Sequence, residues 1–564
     1  MHLKTVLLPA ALTLVVASVA HGQMFQQQTT TRFPVQSEYS NQLTVVDIDG
    51  DGDLDIVWAN GQGYSSAGVA LKPRVYVNNG AGVFTDETDI RVPGVTGWFR
   101  GVEAGDADGD GDPDLILAQD FNKQPKLLIN NGSGVFADET ASRLPVQTLS
   151  SSRAQFADVD NDGDLDIALC HSGTSSRFGS GQPKLWLNNG SGVFTDATAT
   201  NFPVGNISEQ MDVIFGDVDG DFDLDLVVGT RASSPNQSRL WKNNGAGVFT
   251  NQTGFPADTS SYSWDLADID GDGDLDGISI NGGTASAELL AKNANGIGTS
   301  WTNASASISP NPSTDDNDSK FFDYDNDGDL DLFIGSLGSS ERVYTNNGAG
   351  AFAQAANILP AVADSTLDIK VADVDSDGRY DVITAQGESG SFQNRIYMNI
   401  SGPVDTRPPT IVRTEDVVPG ANPAAHVVRA HITDAHTSDR GFHSKGVFLN
   451  YSFNGCATVQ VPMKWTGNAM WRGTIPTPPA GAAVAYFVTA KDWAGNVGTG
   501  PTKTFTEAGA AGPVGDINGD GKVDGADIGL CIGNWGQAGG VADVNCDGIV
   551  DGADLGLIIG NWTG

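Results

Sequence analysis

The sequence predicts a mainly β fold: a seven-bladed β-propeller, then a β-sandwich, then a small α-helical module built on paired cation loops. Three observations predict it. An acidic element begins at Asp47, Asp106, Asp158, Asp217, Asp268, Asp323 and Asp373, at steps of 59, 52, 59, 51, 55 and 50 residues, a period that suits a four-stranded unit. A second signature follows in five of these units, as RVYVNNGAGVFTD from Arg74 or KLWLNNGSGVFTD from Lys184, where Asn-Asn-Gly between alternating runs marks a β-hairpin turn. Composition agrees, since 71 glycines in 564 residues with 39% hydrophobic content suit short strands and tight turns better than long helices. Stacked in a ring, such units bury their faces against their neighbours and form a propeller.

In chain order, residues 1–22 read as a secretory signal peptide: Lys4, an apolar run from Thr5 to Ala20, then small residues, with cleavage after Ala20 or Gly22. That run is too short to span a bilayer and no later stretch reaches 18 apolar residues, so the expectation is export to the periplasm, cell surface or medium with no membrane insertion. The propeller is expected over 23–407. Its seventh unit stops at Asn399 without the final turn and strand, while MFQQQTTTRFPVQ from Met24 aligns with VFTDATATNFPVG from Val193. Met24 to Pro34 is therefore expected to supply the closing strand of blade seven, leaving no open edge. Before each acidic loop the pattern alternates. Leu43, Val45, Val213, Phe215, Ile369 and Val371 belong in the core, and Arg153, Gln155, Asp265, Lys320, Asp368 and Lys370 belong on a solvated channel wall.

The loops themselves place acids at positions one, three, five, seven and nine. Five carboxylates in nine residues repel one another unless a cation sits among them. Calcium fits, with side-chain oxygens at positions one, three, five and nine, a carbonyl at seven and Gly at six for the turn. In blade one these are Asp47, Asp49, Asp51 and Asp55, with the Asp53 carbonyl and Gly52. The corresponding sets are Asp106, Asp108, Asp110, Asp112 and Asp114; Asp158, Asp160, Asp162, Asp164 and Asp166; Asp217, Asp219, Asp221, Asp223 and Asp225; Asp268, Asp270, Asp272, Asp274 and Asp276; Asp323, Asp325, Asp327, Asp329 and Asp331; and Asp373, Asp375, Asp377, Arg379 and Asp381. Blade four has Phe222 at position six, which makes its site the poorest, and Arg379 in blade seven lowers the local negative charge. These units resemble FG-GAP/VCBS repeats, as in integrin α-subunit propellers, over about residues 24–400. The resemblance implies up to seven calcium ions as staples of the fold, and recognition or adhesion through a protein or glycan ligand.

Arg407-Pro408-Pro409 opens a change of pattern, and the alternating runs HVVRAHIT, KGVFLNYSF and AVAYFVTAKD over 408–507 resemble an immunoglobulin-like or fibronectin-III-like sandwich. Its histidines, His426, His431, His436 and His443, read as exposed polar residues. After a linker at 508–513, residues 514–564 hold two loops, DINGDGKVDGAD and DVNCDGIVDGAD. The ligands are Asp516, Asn518, Asp520, the Lys522 carbonyl, Asp524 and Asp527, then Asp543, Asn545, Asp547, the Ile549 carbonyl, Asp551 and Asp554. The tandem is similar to a type I dockerin, which implies two further calcium ions and a cohesin-like or envelope partner. Gly525-Ala526 and Gly552-Ala553 stand where cellulosomal dockerins often carry hydroxyl residues. Dockerin-like pairing brings the two loop–helix units together, and Cys531 and Cys546 are expected to form a disulfide in an oxidising compartment.

The formal charge of −39 excludes a nucleic-acid backbone or an anionic membrane as the main partner, and the acids outside the loops nearly balance the 31 basic residues. The chain contains no HExxH, GxSxG or GK[ST] phosphate loop. Three functional classes stay open. The leading one is a secreted, monomeric, non-catalytic recognition or adhesion protein tethered by its tail. The second is a glycan-active enzyme, a lyase or hydrolase component, for which Trp98, Arg100, Tyr262, Trp264 and His171 are the rim candidates. The third is a purely structural envelope component.

Overall fold

The computed structural model describes residues 23–564 apart from 233–236, 259, 283–286, 388–389, 420–424, 435–441 and 510–511, and the signal-peptide segment lies outside the described residues. Blade one is built from Ser40–Val46, Asp55–Asn60, Arg74–Asn78 and Phe84–Asp86, each antiparallel to the next. Blades two to five repeat this order as separate four-stranded sheets. Blades six and seven follow the same plan and are joined by a pairing between Leu337 and Ser365. In blade seven the strands Ala363–Ala372, Asp381–Gln386 and Arg395–Asn399 receive Phe25–Gln27 as the fourth, in the register Phe25 to Asn399 and Gln27 to Tyr397. The N-terminal segment thus closes the ring, as its alignment with Val193 onward predicts.

The core lies between blades. Phe33, Leu43, Trp58 and Tyr76 pack on Ile383, Ile396 and Met398 of blade seven, and Leu185 of blade three packs with Phe215, Leu226 and Trp241 of blade four. Each inner strand has one edge without a strand partner, and its N–H groups need acceptors. The neighbouring blade supplies them across the channel. Gln42 Oε1 accepts from Val102 N at 2.8 Å, Asp212 Oδ2 from Trp264 N at 2.8 Å, Asp318 Oδ2 from Ile369 N at 2.9 Å and Asp368 Oδ2 from Leu43 N at 2.9 Å. The channel residues therefore line the axis as expected, but the tier holding Arg153 and Asp368 is a buried polar network and not a solvated wall. Arg153 lies 3.0 Å from Asp368 and 3.8 Å from Asp212.

Beyond residue 408, two sheets face each other. One is ordered Thr410–Thr414, Ala425–Thr433, Met470–Pro476, Lys464–Gly467; the other contains Val459–Pro462, Phe442–Phe453, Ala483–Asp492 and Val497–Thr499, with Lys503–Thr506 also on the Ala483–Asp492 strand. Val428, Ile432, Leu449, Trp471, Tyr486 and Val488 fill the space between them. Two histidines expected at the surface are buried here. His426 meets Glu507 through Nε2, and the His431 Nδ1 lies 3.2 Å from Arg413 Nη2. His426 packs against Phe505 and His431 lies on the opposite side of the strand beside Arg413, contacts with distant segments that alternation alone did not reveal. His436 lies outside the described residues, as does the side chain of His443.

The C-terminal module pairs helices Gly525–Gly533 and Gly552–Gly560 over Ile517, Val523, Cys531, Val550 and Ile558. The expected Cys531–Cys546 bridge is not formed. Cys546 bonds Cys456 of the sandwich, with Cα atoms 4.6 Å apart, and Cys531 is a buried free thiol. The physical reason is direction: Cys531 faces the module's core, whereas Cys546, at the fourth position of its loop, points out toward the sandwich. No helix of the described residues is long and apolar enough to cross a membrane.

Candidate metal centres

The seven acidic loops share one face of the propeller with the Asn-Asn-Gly turns. In blade one, Asp47 accepts from Gly50 N at 2.8 Å and Gly52 N at 3.1 Å, Asp51 Oδ1 from Asp53 N at 2.9 Å, and Asp55 from Ile48 N at 3.2 Å and Asn78 N at 2.8 Å. These bonds fold the loop back on itself and turn its carboxylates inward. Oxygens of Asp47, Asp49 and Asp55 come within 4.8 Å of one another, as do those of Asp106, Asp108 and Asp114, and of Asp158, Asp160 and Asp166. In blades four and five the group is drawn from positions one, three and five, namely Asp217, Asp219, Asp221 and Asp268, Asp270, Asp272. Position seven points elsewhere. A Cβ on Gly80 would lie 2.6 Å from Asp53 Oδ2, and one on Gly190 would lie 2.5 Å from Asp164 Oδ2, so the acid of one signature rests on the glycine of the other. Arg379 instead donates to the Gly402 carbonyl and pairs with Asp377 at 2.9 Å.

Position three carries the sharpest signal. Its Oδ1 is buried with no hydrogen-bond partner in all seven blades, at Asp49, Asp108, Asp160, Asp219, Asp270, Asp325 and Asp375. An orphaned buried carboxylate oxygen is costly, and seven in register call for a common partner that is not a protein donor. A hard cation fits this donor set. Burial acts in the same direction on the carboxylates beside it. It pushes Asp55 and Asp114 up to about 7, Asp276 to about 8 and Asp331 to about 9. The other oxygen of position three is held by a base in several blades: Arg91 on Asp49 at 2.9 Å, Arg143 on Asp108 at 3.2 Å, Arg32 on Asp375 at 3.2 Å, and Lys242 and Lys292 on Asp219 and Asp270.

The loop face is also where the sandwich docks, a feature missed in the sequence. Arg472 donates to the carbonyls of Asn161 and Asp162 in blade three. Arg413 reaches Asp217 at 3.0 Å and Arg429 reaches Asp223 at 2.7 Å, both with their guanidinium groups over the Phe222 ring. Phe222 has φ 71°, so the poorest loop by sequence is the one clamped by two arginines. Between the domains lies a cleft of about 370 Å³ lined in part by Glu103, Lys320, Lys370, Trp465 and Trp493.

In the C-terminal loops Asp527 accepts from Ile517 N at 2.8 Å, Asn518 N at 3.1 Å and Asp524 N at 2.8 Å, while Asp524 caps the helix through Ala526 N; in the second loop Asp554 accepts from Asn545 N and Asp551 N, and Asp551 caps through Ala553 N. Positions nine and twelve thus also hold the helix N-termini. Asp516 and Asp543 each accept two loop N–H groups, from Asp520 and Gly521 and from Asp547 and Gly548.

The rim candidates separate. Trp264 is core, its Nε1 donating to Ser238 at 3.2 Å, and Trp98 stacks under Lys123 at 4.7 Å. Burial lowers His171 to about 4. Arg100 and Tyr262 both line a niche of about 60 Å³ on the propeller face opposite the sandwich.

Acid loops in phase on one face of a closed ring define a class, the acidic-loop propeller. Five segments, 47–117, 106–169, 174–228, 217–279 and 323–384, match the FG-GAP-like repeat and together span over half of the chain, which belongs to that family. Residues 514–561 match the dockerin type I domain, a module that binds calcium and cohesin partners and acts in extracellular tethering. No curated protein matches the sequence. Among solved structures, fructofuranosidase from Schwanniomyces occidentalis complexed with fructose is 8% identical, with 87% of this chain and 97% of that one covered at a TM-score of 0.28. Chicken CNTN1 FN1-FN3 domains are 12% identical, covering 53% and 99%, at 0.14.

Proposed function

We propose that the chain is an exported, calcium-stabilised recognition protein whose propeller holds a protein or glycan ligand and whose dockerin tail tethers it to a cohesin-like or envelope partner. The observation that carries the calcium reading is the orphaned position-three oxygen repeated in every blade. Calcium held by Asp47, Asp49, Asp51, Asp55 and the Asp53 carbonyl, and by their counterparts in the other blades, would neutralise the mutual repulsion and lock each first hairpin. Asp516, Asn518, Asp520, Asp524 and Asp527, with the matching second set, would take two more ions. The recognition reading is supported by the domain layout. The sandwich covers the loop face through Arg413, Arg429 and Arg472, which leaves the opposite mouth of the channel for a ligand.

The test is retention of the calcium-loaded protein on a glycan array with analysis of any products. Retention without turnover supports recognition. Unsaturated or shortened sugars would replace it with the glycan-active reading, and no retention of any glycan or envelope protein would sink it.

A further inference from the structure

Resting on that recognition reading, we propose that the mouth of the channel opposite the sandwich is a subsite for the carboxylate of a uronic-acid residue in a glycan, received by Arg177. The niche of about 60 Å³ is lined by Arg100, Arg177 and Tyr262 among others. It is well below the ~300–1,000 Å³ of sites that enclose a whole small ligand, so it takes one group of a larger molecule. Arg177 is 6% exposed, yet among the described residues its guanidinium makes no hydrogen bond; its nearest acid, Asp120, is 3.9 Å away. The Arg177 guanidinium nitrogens are not sealed from solvent, so the donors open to the niche and suit a planar, bidentate acceptor.

The acid nearest Arg177 is shared, since Asp120 also lies 3.7 Å from Arg100. One ligand carboxylate can take the donors of Arg177, and the Asp120 charge beside it works against a dianion. The rim sets the rest. Arg177 is held over the rings of Tyr64 at 5.2 Å and Phe178 at 4.9 Å, and Arg231 lies over Phe178 at 5.3 Å and Tyr262 at 5.1 Å. The cation–π contacts fix the guanidinium planes and leave their N–H edges for the ligand. Tyr262, which lines the niche with Arg177, offers a flat edge against which the C–H face of a pyranose can pack. An acidic peptide would want a free strand edge for its backbone, and the inner strands' edge N–H groups are already taken across the channel.

The experiment uses the full calcium-loaded chain and three probes: glucuronoxylan, hyaluronan and short galacturonate oligomers, each beside its carboxyl-reduced form, with poly-glutamate as the peptide arm. At least one uronate glycan is expected to be retained, its reduced form released, and free uronate to compete where the neutral sugar does not. Arg177→Gln is expected to weaken binding about tenfold or more at an unchanged melting temperature, with Arg177→Lys recovering part of it. Competition on the unmodified protein needs no variant, so a misfolded Arg177→Gln does not blunt the test. Equal binding of native and reduced glycans, or retention of neutral glycans or poly-glutamate alone, overturns the subsite and leaves recognition standing. Retention of nothing overturns both.

Discussion

Asn188 should be among the most destabilising polar residues to truncate, although the sequence presents it as an ordinary turn residue. Its Nδ2 donates to the Ala107 carbonyl of blade two at 2.7 Å and to the Leu165 carbonyl of its own blade at 3.0 Å. Its Oδ1 accepts from Asn189 N at 2.8 Å, Gly190 N at 3.2 Å and Gly192 N at 3.0 Å. Alanine there leaves two buried carbonyls and a set of turn N–H groups without partners. At ~1–3 kcal/mol for each buried group left unsatisfied, and with the turn N–H groups able to reach water, the loss is about 3–5 kcal/mol. The neighbouring Asn189 is exposed and only accepts from Ser191 N at 3.1 Å and Val193 N at 3.3 Å, so Asn189→Ala should cost under about 1 kcal/mol. Urea unfolding in saturating calcium, followed by far-UV circular dichroism, compares the two. If the variants fall within about 1 kcal/mol of each other, the interblade role of this asparagine is wrong.

Removing calcium with a strong chelator should lower the melting temperature of the whole propeller, since each site held at a hundred times its dissociation constant contributes ~2.7 kcal/mol; an unchanged melt would refute the staple reading. Peptide mapping without reductant should recover Cys456 joined to Cys546 and Cys531 as a thiol, and a Cys531–Cys546 peptide would contradict the fold. His431, lowered to about 3 by burial and by Arg413, stays neutral in the fold and binds its proton only on unfolding. The stability it contributes is complete above the unfolded value near 6.5 and is lost as the pH falls from there toward 3. His431→Asn should flatten the acid limb of the sandwich's stability profile, and an unaltered limb would count against this.

The ring was legible because its period, its acid spacing and its missing last strand are all properties of neighbouring residues in the chain, and Phe25–Gln27 pairs where the alignment places it. What was not legible arises between distant segments. Cys456 and Cys546 are 90 residues apart, and nothing in either local pattern favours that pairing over the nearer one. The first asparagine of each turn was already explained by the turn, so its second job, reaching the preceding blade's loop, left no trace in the pattern. Asn130 repeats it on the Ile48 carbonyl and Asn346 on the Ile269 carbonyl. Arg177 belongs to no motif, and only folding sets it beside Tyr64, Phe178 and Asp120.

These contacts also divide the molecule's labour between its two faces. The loop face is spent on cohesion: its acids take arginines from the sandwich, its turns bridge blades, and the bridge from Cys456 to Cys546 then fixes the tail module to that same sandwich. A pull on the tail loads the disulfide together with the chain that joins tail and sandwich, and reaches the propeller both through the chain leaving blade seven at Asn399 and through the arginine clamps on blades three and four. On the opposite face Arg177 and Arg231 are held by stacking on their aromatic neighbours within the propeller. Among the described residues none of the sandwich's arginine clamps or the disulfide involves them, so a ligand held there, as proposed above, would sit apart from the links to the tail.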